Sequence, residues 1–355
     1  MQKNSGMHYV PEGKTERVVD EGEFIFASAF LDHGHIKGQT KGLIGAGGTL
    51  KYVYDKVPDR AAEFSKDFPN VEIVDSFERI LDDESIDLVA AAAVPNKRGP
   101  IGLEVMDAGK DYFTDKAPFT SLEQLESARL KVNETGCKYL VYYGERLHNE
   151  SAWKAGELIK EGAVGRVLQV INIAPHRLAA STRPEWFFVK EKYGGILIDI
   201  GSHQFEQFLD YSGANDAEIK FARVANFGNP EYPELEDFGE ASLIMDTGTS
   251  CYCRVDWFTP NGLNAWGDGR TFVLGTEGTI EVRKYLDVGR DSSGDIIFLT
   301  DGVSEKEIRC SGQIGFPAFG MLILDVLNRT ETFMTQHHAF KAAELSLRAQ
   351  EMAIS

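Results

Sequence analysis

The chain has 355 residues, 43% of them hydrophobic and 26% charged, a globular composition too long for one ordinary hydrophobic core. Its formal net charge of −18 argues against nucleic acid and acidic membrane surfaces as partners, so an anionic ligand would need a local basic pocket. No stretch approaches the roughly 18 uninterrupted apolar residues of a membrane span and the N-terminus has no apolar leader, which predicts a soluble, cytoplasmic protein without a membrane partner.

Residues 1–22 read as a polar lead segment. In "EFIFASAFLDHGHIKGQTKGLIGAGG" the apolar run Phe24 to Phe30 has the length and composition of a strand, "LDHG" reads as a turn and "HIKGQTKGLIGAG" as a helix. The eye-catching "LIGAGG" is followed by the alternating strand "TLKYVYD", not by a helix. Gly45, Gly47 and Gly48 are therefore expected to end a helix and make a tight turn. Asp55 closes the second strand 21 residues after Gly34, where an acid would receive ribose hydroxyls. Strand, turn, helix, strand and acid thus stand in the order of a dinucleotide-binding unit. The three glycine positions of its fingerprint are held by Ala29, Leu31 and Gly34.

Further on, "PDRAAEFSKDFP" reads as a helix and Ile86 to Val94 as a parallel strand buried on both faces, stopping at Pro95-Asn96. A helix ending at Gly109, the strand "DYFTD", the helix "LEQLESARLKVNETG" and the strand "KYLVYYGERL" repeat the unit. This alternation predicts a doubly wound parallel sheet over residues 23–146. Residues 147–355 change rhythm: after the helix "AWKAGELIKEGAVG", long strands follow through Gly and Asp turns from "RVLQVINIAPHR" to "DIIFLTDG". That pattern predicts an α+β domain with a large, mainly antiparallel sheet, closed by two helices that would pack back on the first domain. Cys137, Cys251, Cys253 and Cys310 lack metal-site spacing, and no metal is expected; Cys251 and Cys253, two apart in a strand, read as packing residues on one face.

Two places suit chemistry. Lys116, in "YFTDKAPF", follows a strand at the carboxyl edge of the parallel sheet, where such folds bind ligands, and a lysine there can hydrogen-bond a hydroxyl. In "YGGILIDIGSHQFEQFLDYSG", Asp199 and His203 are four apart and share a face if the segment is helical. An imidazole can take a hydroxyl proton near neutral pH, and a carboxylate one turn away can orient it; the same pair also reads as an ordinary surface pair.

The whole pattern resembles the Gfo/Idh/MocA family of nicotinamide-dependent oxidoreductases over about residues 23–352. The resemblance rests on the first alternating half, "VPN" (94–96), "DKAP" (115–118) where the family has E-K-P, "GGILIDIGSHQFEQ", and "GTEGTIEV" (275–282). It implies NAD or NADP as cofactor, with NAD favoured by the acid at Asp55. It assigns Lys116, Asp199 and His203 to catalysis, and Phe30, Leu31, His33, Gly34, His35, Ile36, Asp55, Arg60, Ala93, Pro95, Asn96, Asp115 and Lys116 to the cofactor. Asp115 and the Ala93–Asn96 loop would line the nicotinamide side, and His33 or His35 would donate to the diphosphate. Arg146, His176, Arg177, Arg183 and Trp186 are candidates for the substrate, a sugar, inositol or sugar-acid derivative, and the two arginines would suit an anionic group. A homodimer or homotetramer through the second sheet follows from the same resemblance.

Departures from the family pattern are the missing glycines, Ala117 where relatives have proline, and Gly99 where they have histidine. They keep two alternatives open: redox-neutral chemistry on a retained NAD, and a non-catalytic dinucleotide- or metabolite-binding protein.

Overall fold

The computed structural model describes residues 5–11 and 13–355. In chain order the first elements are β1 (Ile25–Ala29), α1 (His35–Gly45), β2 (Thr49–Tyr54), α2 (Pro58–Ser65), β3 (Glu72–Ile73) and α3 (Glu78–Leu81). They are followed by β4 (Leu88–Ala91), α4 (Pro95–Asp107), β5 (Asp111–Asp115), α5 (Leu122–Thr135) and β6 (Tyr139–Tyr142). Next come α6 (Gly144–Leu147), α7 (Glu150–Lys160), β7 (Val167–Pro175), α8 (Lys190–Tyr193), α9 (Ile196–Asp199) and α10 (Gly201–Ser212). Seven strands follow: β8 (Ala217–Ala225), β9 (Phe238–Met245), β10 (Ser250–Asp256), β11 (Arg270–Gly275), β12 (Gly278–Arg283), β13 (Ile296–Asp301) and β14 (Glu305–Arg309). Two helices close the chain, α11 (Pro317–Asn328) and α12 (Gln336–Met352). The chain divides into two compact units, one of Met7–Tyr142 with Phe316–Phe340, the other of Tyr143–Gly315 with Lys341–Ser355 and the described residues before Met7.

In the first unit six parallel strands lie in the order β3-β2-β1-β4-β5-β6, so the chain winds outward from β1 in one direction and then in the other. The reversal between β1 and β4 is the crevice where sheets of this kind bind ligands. β4 and β5 are buried at every position because helices cover both faces. β4 is shorter than the apolar run, and just before it the Asp87 carboxylate accepts the Ile25 amide at 2.8 Å.

The glycines of α1 have a reason that the sequence did not disclose. A Cβ at Gly34 would overlap the backbone of Met7 and the side chain of His8, one at Gly45 would meet Thr15, and one at Gly42 would overlap the Phe319 ring of α11. Met7, His8, Thr15 and Val18 therefore lie along α1 from its first turn to its last, the Val18 amide donating to Ala46 O at 2.9 Å. Of the three glycines expected in the turn after α1, only Gly47 has a left-handed backbone, with φ +107°.

α4 starts at Pro95, so Pro95 and Asn96 form its first turn instead of a loop. Pro100 inside the helix lacks the N–H that Asn96 O would accept, and Gln124 Nε2 donates to that carbonyl instead, at 3.0 Å.

In the second unit eight strands lie in the order β14-β13-β12-β11-β7-β10-β9-β8, parallel only where β10 pairs with β7. The edge strand β14 had no counterpart in the sequence reading, being short and charged. α7, α9 and α10 cover one face of this sheet. Cys251 and Cys253 point there, buried beside Val255. On the other face Phe221, Ile244, Phe272 and Leu274 are exposed.

Candidate active site

At the end of β1, Phe30 takes a left-handed conformation with φ +54°, its amide donating to Tyr54 O and its carbonyl accepting from Ala92 N. Its ring packs edge-on against Phe77 and Tyr54. The Leu31 amide then donates to Asp55 Oδ2 at 2.7 Å, and the His33 amide to Ala92 O at 2.9 Å. Asp55 was expected to receive ribose hydroxyls. Its buried carboxylate also joins the ends of β1 and β2, accepting from Val57 N at 2.7 Å and lying 3.1 Å from Arg60 Nε, while Arg60 Nη1 bonds Asp32. Ile36 is buried in the core, because α1 turns that face toward the sheet.

The unit still fits a dinucleotide. A cavity of about 290 Å³ opens beside the switch point, walled by Phe30, Ile101 and Pro100 with Lys56, Arg60 and Lys97 at its edge. Its size and apolar walls with a polar rim suit an adenosine. Among the described residues the amides of Asp32 and Gly34, ahead of the N-terminus of α1, have no acceptor, which leaves donors for a diphosphate.

The end of β5 is organised by a residue the sequence reading passed over. Arg98 on α4 is 1% exposed. Its Nε donates to Ala93 O at 2.7 Å, its Nη1 to Lys116 O and to Ala117 O, and its Nη2 to Asp115 Oδ2 at 3.1 Å. The Lys116–Ala117 peptide that it holds is cis. Asp115 was expected to line the nicotinamide side; it is fully buried, with Oδ1 bonded to His35 Nδ1 and to the Lys116 amide, both at 2.9 Å. Burial alone would raise its pKa, but His35 and Arg98 hold the carboxyl well below the usual range. The Nδ1 atoms of both His33 and His35 face Asp115, and burial holds the His33 imidazole well below its ordinary pKa. Lys116 itself is buried. No signal short of the α4–β5 packing would have identified Arg98.

In the second unit α9 and α10 run almost continuously through Ile200, whose backbone is helical, so Asp199 and His203 sit one turn apart as expected, both buried. The left-handed Gly194 and Gly195 let the chain enter α9. Beneath His203 lies a closed polar network. Glu145 accepts from Lys284 Nζ at 3.1 Å and Gln204 Nε2 at 3.0 Å, and lies 3.1 Å from His176 Nε2. Lys284 also donates to Gln207 Oε1 at 2.8 Å, and Gln207 Nε2 donates to the His203 carbonyl at 2.9 Å. Burial would raise the Glu145 pKa; Lys284 and the imidazoles of His203 and His176 hold it well below the carboxylate range. The Tyr143 ring stands edge-on to that of His203.

The substrate candidates separate into groups. Arg146 is buried and clamped by Glu206 and Asp210, so it braces α6 against α10 and offers no grip. His176 is wedged between Trp257 and Trp266 and paired with Glu145. Arg177 Nη2 donates to Pro260 O and Leu263 O, which fixes the loop after β10. Trp186, half-buried, packs on Phe187. Arg183 differs from these: it is half-buried and the Asp199 charge reaches it.

Residues 27–143 match the model described as oxidoreductase family, NAD-binding Rossmann fold, and residues 153–281 match the GFO/IDH/MocA C-terminal domain. A solved structure from Erwinia carotovora atroseptica SCRI1043 that carries an oxidoreductase name is 45% identical, with a TM-score of 0.90 over 94% of this chain and 99% of that one. The scyllo-inositol 2-dehydrogenase (NAD(+)) of Bacillus subtilis is 26% identical over 70% of each chain. The scyllo-inositol 2-dehydrogenase (NADP(+)) IolW of the same organism is 26% identical over 54% of this chain, which spans about half of that relative's length. With a switch-point crevice suited to a dinucleotide and both family models matched across most of its length, the chain belongs to the Gfo/Idh/MocA family of NAD(P)-dependent oxidoreductases.

Proposed function

We propose that the protein is a dehydrogenase of polyols or sugars, oxidising a secondary alcohol with His203 as the proton acceptor. The observation that carries this reading is the pairing of Asp199 and His203 on one buried helical turn, backed by the ionised Glu145 network. His203 takes the hydroxyl proton and Asp199 orients the polar end of the substrate. When bound, the nicotinamide supplies the hydride acceptor. The relatives that act on scyllo-inositol support a polyol substrate. The Asp55 carboxylate in the wall of the adenosine cavity supports NAD over NADP, since a 2′-phosphate would meet a like charge.

The exposed apolar face of the second sheet, with Phe272 and Leu274 at its centre, supports a homodimer formed through that face. A rival reading as a non-catalytic dinucleotide-binding protein draws on the Leu31 and His33 amides, which are already bonded within the protein. Titration with NADH and NADPH, followed by a screen of polyols and sugar acids with NAD+ and NADP+, separates the two. The dehydrogenase reading expects saturable binding and turnover that His203→Ala abolishes while nucleotide affinity is kept. Nucleotide binding without turnover of any candidate, unchanged by His203→Ala, would favour the rival.

A further inference from the structure

Arg183 is fixed by two backbone carbonyls and two aromatic rings. Its Nε donates to Leu178 O at 2.9 Å and its Nη2 to Arg177 O at 3.3 Å, so the stem cannot swing. Its guanidinium carbon lies 4.4 Å from the centre of the Phe187 ring and 4.8 Å from that of Trp257, which fixes the plane of the fork. Two of its five N–H groups are used on these neutral carbonyls, leaving three.

The charge is not compensated in the way of other buried cations here. Arg98 has Asp115, Arg146 has Glu206, and Lys284 has Glu145 within ion-pair distance, whereas Arg183 has no acidic partner among the described residues. Burial lowers its pKa to about 10, offset in part by Asp199, so it remains a cation at neutral pH. A half-buried cation with its plane fixed and no anion beside it is preorganised for one. Its stacking partner Trp257 packs edge-on against His176, which lies 3.1 Å from Glu145, so the cation adjoins the polar network beneath His203. Arg177, the other arginine suited by type to an anion, has its Nη2 committed to Pro260 O and Leu263 O.

We propose that Arg183 reads an oxyanion on the substrate, so that the protein acts on acidic polyols, with a carboxylate at the Arg183 end and the reacting hydroxyl at the Asp199–His203 end. This rests on the dehydrogenase reading. A carboxylate matches the remaining fork in a bidentate manner, and a phosphate monoester would use the same donors.

The test is calorimetric binding to the full-length protein, with and without NAD+, of gluconate, glucuronate and glucose 6-phosphate against sorbitol, glucose and myo-inositol. The acidic set is expected to bind at least tenfold more tightly than the neutral set. Arg183→Met is expected to weaken the acidic set roughly tenfold to a hundredfold, the range of a charge-assisted pair, with the neutral set changed less than about twofold. Arg183→Lys, which keeps the charge without the fork, should recover part of the loss, and unchanged melting of both variants shows that the fold is intact. Tightest binding by glucose 6-phosphate would uphold the oxyanion grip and assign it to phosphate. Equal weakening of both sets in Arg183→Met, or binding of none of the acidic set, overturns the proposal. Turnover of neutral polyols by wild type and Arg183→Met alike would sink it while sparing the dehydrogenase reading. Arg183-dependent binding of acids without NADH formation would do the reverse.

Discussion

Replacing Arg98 by methionine tests whether the end of β5 is built as described. The substitution keeps most of the side-chain length but removes four hydrogen bonds: to Ala93 O, Lys116 O, Ala117 O and the Asp115 carboxylate. Asp115 is fully buried and keeps only imidazole and backbone partners. Breaking a buried ion pair from one side typically costs about 3–5 kcal/mol, and part of the loss from the orphaned carbonyls is recovered as water enters. A loss of that size lowers the melting temperature by roughly 6–20 °C, at about 2–4 °C per kcal/mol for a unit of this size. Calorimetric melting of wild type, Arg98→Met, Asp115→Asn and the double variant gives the coupling directly. The cycle should return a coupling above about 2 kcal/mol, with the double variant no worse than the sum of the two losses. A single-variant loss under about 1 kcal/mol would show that Arg98 does not hold this junction, and the account of the Lys116 segment would fall with it.

Three further outcomes follow from other parts of the molecule. Burial raises the Asp295 pKa to about 6, above the unfolded carboxylate value, so its contribution to stability is full below about pH 4 and is lost as pH rises through about 6. Asp295→Asn, which tolerates the left-handed backbone at φ +57°, should therefore stabilise the protein at pH 7 by up to about 2 kcal/mol and flatten the stability profile between those limits, as read from urea melts across pH. Gly42→Ala should gain about 1 kcal/mol of helix propensity yet lose more to the Phe319 ring, for a net loss of about 1–2 kcal/mol that Phe319→Leu relieves; net stabilisation in urea would contradict the close approach. Glu145→Gln removes the anion that favours protonated His203, so the acid limb of the rate profile should move to lower pH; an unmoved limb would mean that another group governs it.

The alternation of strands and helices, the turn from parallel to antiparallel organisation, the inward Cys251 and Cys253, and the Asp199–His203 spacing were legible because each depends on a local period of two or of about 3.6 residues. Other features were misread or missed because their partners are remote in sequence. The structural bond that Asp55 accepts from the Leu31 amide, 24 residues back, has no mark in the sequence. The α1 glycines look like surplus flexibility until Phe319 is packed on Gly42. Arg146, a plausible substrate grip by position, is claimed by Glu206, 60 residues away. Arg98 sits in "VPNKRG" with nothing to distinguish it from the lysine beside it. Local propensity and apolar periodicity determined which segments form helices and strands, and therefore which residues lie at strand ends and on which helix face. Whether a charge is spent inside the protein, as in Asp115 and Arg146, or left without an acidic partner, as in Arg183, was decided only by tertiary packing, because burial and the arrival of a partner are what set the cost and use of a charge.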